Sequence, residues 1–183
     1  MSKKILAFGA SNSRNSINKK LASFAAQQIK GADIQLLDLN AYEMPIYSVD
    51  REKETGLPAL AMQFKELIKA ADGIIISFAE HNGAYTAAYK NIYDWVSRIE
   101  QSVWGNKPML LLATSPGGRG GKGVLGIALP AYQRGNSHPI ASFSLPSFTA
   151  NFEEGVGITD AELRVAFEEQ LRSFVTVLEG VEG

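Results

Sequence analysis

A loop of small hydrogen-bonding side chains follows the first apolar run of the sequence. The run KILAF ends at Phe8 and is followed by GASNSRNSIN. Because a helical pattern begins at Ser16, the unpaired N–H groups of its first turn add donors and positive partial charge. Such an end is suited to a phosphate, and the alternative is that Ser and Asn only cap the helix. The loop's hydroxyl and amide groups belong to Ser11, Asn12, Ser13, Asn15, Ser16 and Asn18.

Two common nucleotide-binding signatures are missing from this loop. It contains neither G-x-G-x-x-G nor G-x-x-x-x-G-K-[ST]. These absences argue against a Rossmann dinucleotide site and against an NTPase P-loop. A hydroxyl-rich phosphate loop is the ligand-binding interpretation that remains.

Two further loops follow later apolar runs. The stretch AEHNGAYTAAYKNIYDW, residues 79–95, contains a turn signal at Asn82-Gly83. The stretch TSPGGRGGKG, residues 114–123, has five glycines and one proline in ten positions. So much glycine favours backbone fitted closely to a ligand, and a flexible surface loop is the alternative.

Five apolar runs predict the strands that must position these loops. The patterns ILAF, GIIISF and MLLLAT are continuously hydrophobic, as is typical of parallel strands covered by helices on both faces. The second and fifth runs alternate more and are expected nearer the sheet edges. The predicted strands are Lys4–Phe8, Ile34–Leu39, Gly73–Phe78, Met109–Thr114 and Ile140–Leu145.

Helical periodicity separates the strands. Helices are predicted over Ser16–Ile29, Ala59–Ala71, Tyr85–Ile99 and Val124–Tyr132, with a last helix after a capping box at Thr159 and Glu162. Residues 40–58 are predicted to be irregular. Alternating strands and helices predict an α/β three-layer sandwich. With the strand order 2-1-3-4-5, the loops after strands one, three and four would enclose one crevice.

Composition excludes several classes of function. The 183-residue chain has 18 basic and 19 acidic residues, so no strong field attracts nucleic acid or an anionic membrane. It contains no cysteine, and His81 and His138 are its only histidines, so we expect no metal site. No apolar run is long enough for a signal-peptide core or a membrane span, which predicts a cytoplasmic protein.

Three motifs together resemble those of the NADPH-dependent FMN reductase family, which includes quinone, azo-dye and chromate reductases. GASNSRNSINKKLA resembles the family's G-S-x-R-x-x-S-x-N-x-x-L-A, and residues 79–95 resemble P-E-Y-N-G-S-x-P-G-x-L-K-N-x-x-D-W. SPGGRGG resembles the third motif, and Pro45 and Tyr47 match the continuation of strand two. The second motif departs at Ala79, His81, Ala84, Thr86 and Ala87.

The resemblance implies a single flavodoxin-like FMN-binding domain over residues 1–183, with a five-stranded parallel sheet in the order 2-1-3-4-5. It implies that FMN carries the chemistry, so no catalytic side chain is predicted. The implied phosphate-binding residues are Ser11, Ser13, Ser16, Ile17 and Asn18. Those beside the isoalloxazine are Glu80, His81, Asn82 and Gly83, and those at its pyrimidine edge are Ser115, Gly117, Gly118, Arg119 and Gly120.

The activity implied by the resemblance is hydride transfer from NADPH or NADH to bound FMN, and then reduction of a quinone, flavin, azo compound or similar acceptor. Arg14, Arg119 and Lys122 are candidates to meet cofactor phosphates, with solvated surface charges as the alternative. His81 stands where the family has tyrosine, and could stack on the ring or donate a proton. The alternative functions are a flavodoxin-type electron carrier and a non-catalytic flavin-binding protein.

The resemblance also implies a homodimer or homotetramer with the flavin near the interface. An aromatic stretch is a possible source of contacts, although its members do not share one helical face. These aromatic residues are Tyr85, Tyr89, Tyr93, Trp95 and Trp104. Small-molecule electron acceptors are the expected partners, with no nucleic acid and no membrane.

Overall fold

The computed structural model describes residues 2–180 and contains nine strands and seven α-helices within them. The strands are β1 Lys4–Ala10, β2 Asp33–Leu37, β3 Gly73–Phe78, β4 Glu80–His81, β5 Ala84–Tyr85, β6 Met109–Thr114, β7 Ala141–Leu145, β8 Phe152–Glu153 and β9 Gly157–Ile158. The helices are α1 Ile17–Gln27, α2 Val49–Thr55, α3 Ala59–Ala70, α4 Ala87–Ile99, α5 Lys122–Gln133, α6 Phe148–Asn151 and α7 Ala161–Gly180.

Five of the strands form one parallel sheet in the order β2-β1-β3-β6-β7. This is the predicted 2-1-3-4-5 order, so the flavodoxin-like α/β prediction is confirmed. The remaining strands form two small antiparallel hairpins, β4–β5 and β8–β9. The carboxyl ends of β1, β3 and β6 are neighbours, because Ala10 is in register with Phe78 and Phe78 with Ala113.

Apolar helices cover both faces of the sheet. One face packs against α1 and α7, and the other packs against α3, α4 and α5. The side chains of β3 and β6 are buried along the whole strand, whereas burial alternates along β7. The strands β2 and β7 lie at the edges, as their alternating sequences predicted.

Two local predictions were wrong because polar side chains cap helices at positions that were not predicted. The last helix is capped by Asp160, whose Oδ1 accepts a hydrogen bond from the Leu163 N–H at 2.9 Å, and not by a box at Thr159. Residues 40–58 are not irregular throughout. They contain part of a short 3-10 helix, Leu39–Tyr42, and the helix α2, which Ser48 caps by accepting from the Arg51 N–H.

The motif at the start and middle of α4 holds the segment that follows β2. The Asn91 side chain accepts from the Tyr47 N–H at 2.8 Å and donates to the carbonyl oxygens of Met44 and Pro45. The Trp95 indole N–H also donates to the Pro45 carbonyl, at 2.7 Å. The K-N-x-x-D-W motif and the P-x-Y motif are therefore one structural unit.

Some of the aromatic residues in and around α4 are buried in the core, and others are partly exposed. Tyr89, Trp95 and Trp104 are buried, whereas Tyr85 and Tyr93 are half-buried. Tyr89 and Trp104 both pack against Phe8 of the central strand. Most of this stretch therefore stabilises the core and is not free for contacts with another chain. No helix in residues 2–180 is both long and apolar enough to span a membrane.

Candidate FMN-binding site

The loop after β1 is fixed by close packing between β1 and α1. A Cβ atom on Gly9 would lie 2.4 Å from the backbone nitrogen of Lys19 and 2.7 Å from the Lys19 Cα, so only glycine permits this close packing. Ser16 caps α1 by accepting from the Lys19 N–H. The first turn of the helix is thereby placed directly beside the end of the strand.

The first turn of α1 presents backbone donors that the protein does not use. Within residues 2–180, the N–H groups of Asn15, Ile17 and Asn18 have no protein acceptor. The hydroxyl of Ser11 accepts from the Ser13 N–H, which shapes the loop. Capping and ligand binding are therefore compatible here, because Ser16 caps the helix and the unpaired N–H groups are suited to binding an anion.

The Asn18 side chain connects the phosphate loop to two neighbouring strands. Its Oδ1 accepts from the Ser77 hydroxyl at 2.7 Å and from the Thr114 N–H at 3.1 Å. Its Nδ2 donates to the Thr114 carbonyl at 3.1 Å. The side chain is buried, so Asn18 can offer a ligand only its backbone N–H.

The loop after β3 is a hairpin whose tip is the predicted Asn82-Gly83 turn. Both residues have left-handed φ angles, 53° and 77°, which is the pattern of a type I′ turn. His81, Asn82 and Gly83 are exposed. The backbone of this tip is therefore accessible to a ligand above the sheet edge.

Glu80 belongs to the same hairpin, but its carboxylate forms a hydrogen bond with the helix α5. Its Oε2 accepts from the Val124 N–H at 2.8 Å, in the first turn of α5. A carboxylate at this position also interacts favourably with the helix dipole. Glu80 therefore joins the hairpin to the third loop.

Thr86 is a structural residue that the sequence analysis counted only as a departure from the family motif. It is buried, caps α4 by accepting from the Tyr89 N–H, and donates to the Ala10 carbonyl at 3.0 Å. It thus ties the hairpin loop to the end of β1. The Thr-x-x-Tyr spacing before a helical stripe is the signal that could have identified the cap.

The glycine-rich loop after β6 is part fixed and part open. Gly120 has a φ of 59°, and a Cβ there would lie 2.6 Å from the Ser144 hydroxyl, which itself donates to the Gly120 carbonyl. Gly117 and Gly118 are exposed, with open space where a Cβ would stand. Gly120 therefore anchors the loop, and Gly117 and Gly118 leave room for a flat ligand.

Ser115 and Arg119 complete the third loop. The Ser115 hydroxyl donates to the Gly117 carbonyl at 3.2 Å, and its own carbonyl accepts from the Phe148 N–H. Arg119 is exposed and, within residues 2–180, makes no ion pair. Its guanidinium is available to a negatively charged group.

A cavity of about 400 Å³ opens between the loops after β1 and β2 and the start of α4. Its walls include Asn12 of the phosphate loop, Met44 and Ile46 of the following segment, and Ala88 and Asn91 of α4. A volume of this size suits a small organic molecule. The cavity adjoins the phosphate loop and lies on the same edge of the sheet.

A buried tyrosine group lies beneath the hairpin. The hydroxyls of Tyr89 and Tyr132 are hydrogen-bonded to each other, and burial raises the pKa of both well above the ordinary value. Burial also raises the pKa of Tyr85, whose ring lies 5.3 Å from that of Tyr89. These phenols are neutral at pH 7, so they supply packing and not negative charge beneath the site.

The three predicted loops meet at one edge of the sheet. Asn18, Glu80 and Gly120 use their side chains or close packing to hold the loops together. A second group has its side chains or backbone open to solvent at the crevice: Ser13, His81, Asn82, Gly83, Gly117, Gly118 and Arg119.

Comparison with known proteins agrees with this architecture. The family model described as NADPH-dependent FMN reductase matches residues 3–150. A 2-hydroxy-1,4-benzoquinone reductase from Burkholderia sp. is 36% identical over 121 residues, which are 66% of this chain and 64% of the relative. An NADPH azoreductase from Bacillus sp. (strain OY1-2) is 36% identical over 57% of this chain and 54% of its own. The matched regions thus span about half to two thirds of these relatives.

A solved structure reproduces the fold over nearly the whole chain. The flavoenzyme NAD(P)H:acceptor oxidoreductase from Paracoccus denitrificans superimposes with a TM-score of 0.76. The superposition covers 97% of both chains at 22% sequence identity. At that identity the likeness establishes the shared architecture.

Proposed function

Because the chain belongs to the NADPH-dependent FMN reductase family, we propose that it is an FMN-containing oxidoreductase that uses NADPH or NADH to reduce a small organic acceptor. Quinones and azo compounds are the proposed acceptor classes, since relatives are named for them. Free flavin is a third, as the family description indicates. One observation carries this proposal: three loops open to solvent converge beside unpaired N–H donors at the start of α1.

The residues present fit FMN. The unpaired N–H groups of Ile17 and Asn18, with the Ser13 hydroxyl beside them, provide donors for a terminal phosphate. Gly117 and Gly118 have open space where a side chain would stand, and the Asn82-Gly83 turn is also exposed, so both loops leave room for a flat ring. Bound FMN supplies hydride-accepting and electron-transferring chemistry, so the protein needs no catalytic side chain of its own.

The protein's own groups would orient the ring and shape its electrostatics. Bound FMN would find hydrogen-bond donors for the polar edge of its ring in the backbone N–H groups of the exposed hairpin tip and of Gly117 and Gly118. Arg119, exposed in the glycine-rich loop, would supply a positive charge to that edge. His81 is exposed on the hairpin, where it can pack on a bound ring or donate a proton to an acceptor.

The first test is the visible absorption spectrum of the purified protein loaded with FMN, recorded anaerobically before and after NADPH or NADH is added. We expect a band near ~450 nm that bleaches on addition, as flavin reduction requires. A bound flavin that is not bleached by either nucleotide would indicate a carrier or a non-catalytic flavin protein. No bound flavin would contradict the proposed site.

We further propose that residues 1–183 act as a single cytoplasmic domain that assembles as a homodimer or homotetramer and does not bind nucleic acid. Exposed apolar side chains in the segment after β2 and in the helices α2 and α3 support an interface. Ile46 is 69% exposed, Val49 54% and Met62 42%. Ile46 also lines the 400 Å³ cavity beside the phosphate loop, so an interface here would lie close to the site.

A further inference from the structure

A second and larger cavity lies along the outer face of α1, and it begins at Arg14, Asn15 and Ser16 on the outer side of the loop after β1. Its volume is about 550 Å³, within the range of small-molecule sites. It is enclosed by α1 on one side and by the β8–β9 hairpin on the other, with Leu36 of β2 at its edge. We call it the α1 cavity.

One part of the α1 cavity is apolar and aromatic. The rings of Phe24 and Phe152 pack edge-to-face with centroids 5.5 Å apart. Beside them Val156 is 62% exposed and Leu36 is 40% exposed. Apolar side chains left this exposed around a concave surface are suited to covering a flat organic ring.

The other part of the α1 cavity carries positive charge. Lys20 pairs with Glu154 across the cavity, at 3.1 Å, and both side chains are largely exposed. Arg14 also lines the cavity and makes no ion pair within residues 2–180. The third cation, Lys19, is paired with Asp38 at 2.6 Å. With Glu154 as the only acidic side chain among the lining residues, the cavity has a net positive charge.

We propose that the α1 cavity is a binding site for an aromatic phosphate of mononucleotide size. The phosphate lies between Lys20 and Arg14, where lysine and arginine form charge-assisted hydrogen bonds. The ring lies against Phe24 and Val156, and the amide of Gln27 faces its polar edge. This site goes beyond the proposed reductase activity and does not depend on it.

The ion pair between Lys20 and Glu154 controls access to this site. An incoming phosphate must replace the Glu154 carboxylate at the Lys20 ammonium. Because the pair is exposed, breaking it costs little. The exchange makes the two residues opposite in effect: Lys20 attracts the ligand, and Glu154 competes with it.

Isothermal titration calorimetry, with adenosine 5′-monophosphate titrated into FMN-saturated protein, tests the proposal. Saturation with FMN keeps the nucleotide out of the phosphate loop. We expect Lys20→Gln to weaken binding about five- to tenfold, and Glu154→Gln to tighten it. Ser23→Phe should abolish binding, because Ser23 lines the cavity and, within residues 2–180, its hydroxyl makes only a 3.4 Å hydrogen bond, from Gln27 on the helix surface. Lys53→Gln, which removes an exposed charge on α2, is the matched control.

Three results would overturn the proposal. One is the absence of binding heat at millimolar nucleotide, and another is binding that Ser23→Phe leaves unchanged. The third is binding seen only without FMN, which would place the nucleotide in the phosphate loop. If binding is found, the KM for NADPH of the Ser23→Phe variant identifies the source of the ligand. If the KM for NADPH rises as nucleotide binding is lost, the ligand is the adenylate half of the co-substrate. If that KM is unchanged, the ligand is a separate nucleotide.

Discussion

At the scale of single residues, the position of the three loops depends on polar side chains that form hydrogen bonds with other elements of the protein. Asn18 and Glu80 each satisfy backbone groups on another element, and Thr86 does so at the end of β1. A buried backbone group that loses its partner costs about 1–3 kcal/mol. Substituting these residues should therefore affect stability as well as ligand binding.

We predict that Asn18→Leu destabilises the protein by about 3 kcal/mol, because Ser77 and both backbone groups of Thr114 lose buried partners. FMN affinity should fall with it, since the loop is no longer tied to β3 and β6. Urea unfolding and flavin titration measure the two effects. Gln28→Leu, which replaces an exposed amide at the other end of the same helix, should change neither. A stable Asn18→Leu variant with weakened FMN binding would instead make the side chain a direct ligand contact.

The ion pair between Lys19 and Asp38 should make stability depend on pH in acid. The hydrogen bond from Lys19, assisted by the Asn40 N–H, lowers the pKa of the Asp38 carboxyl from 3.8 to about 2. The ionised carboxylate therefore contributes stability above about pH 4 and loses that contribution as pH falls through about 2. Because the Asp38 side chain is 43% exposed, screening limits the effect to under about 1 kcal/mol.

Asp38→Asn tests this through the free energy of unfolding measured from pH 6 to pH 2. The difference in free energy of unfolding between Asp38→Asn and the unsubstituted protein should become smaller as the pH falls. It should also become smaller in 1 M salt. Glu66→Gln, which removes an exposed pair with Lys69, is the control. A difference that stays constant across this range would show that the ion pair does not contribute.

At the scale of elements, two contacts set the position of the site: α1 against β1, and α4 against the segment after β2. The first depends on the absence of a side chain at Gly9. The second depends on the Asn91 amide and the Trp95 indole. Both contacts determine where the loops begin, so each can be tested apart from the ligand.

Gly9→Ala should separate α1 from β1, because the added Cβ would lie 2.4 Å from the Lys19 nitrogen. We expect a loss of about 2–3 kcal/mol, typical of overpacking, together with weaker FMN binding. Thermal unfolding and flavin titration provide the measurements. Gly126→Ala on α5 is the matched control, since its Cβ meets nothing within 4 Å and should be neutral or slightly stabilising. Equal effects at both positions would refute the packing argument.

Asn91→Ala should release the segment after β2 while leaving α4 folded. Three hydrogen bonds to residues 44–47 are lost, at a cost of about 2 kcal/mol. Hydrogen exchange of the Tyr47 amide should become faster. Lys90→Ala removes only an exposed ion pair with Asp94 and should leave that exchange rate unchanged. Continued protection of the Tyr47 amide in Asn91→Ala would contradict this assignment.

At the scale of the whole molecule, the proposed dimer would cover the exposed apolar residues that follow β2. Ile46→Glu should convert the dimer to a monomer, because an unpaired charge in an apolar interface is costly. Light scattering of the purified protein measures the mass directly. Val165→Glu, at an equally exposed apolar position on α7, is the control, with 60% exposure against 69% for Ile46. A mass that Ile46→Glu leaves unchanged would exclude this surface as the interface.

The resemblance to the FMN reductase family implied the sheet topology, and the sequence by itself determined the order of strands and helices along the chain and the three loops. These follow from hydrophobic periodicity and turn residues, which are local signals. Only the tertiary structure decided which polar residues hold the loops together and that Asp160 caps α7. It also revealed the hairpins and the α1 cavity. The contacts that hold the loops together join distant positions: Asn18 and Thr114 are 96 residues apart, and no local pattern encodes such a pair. The Asp160 cap is local, but Thr159 gives a competing cap signal one residue earlier.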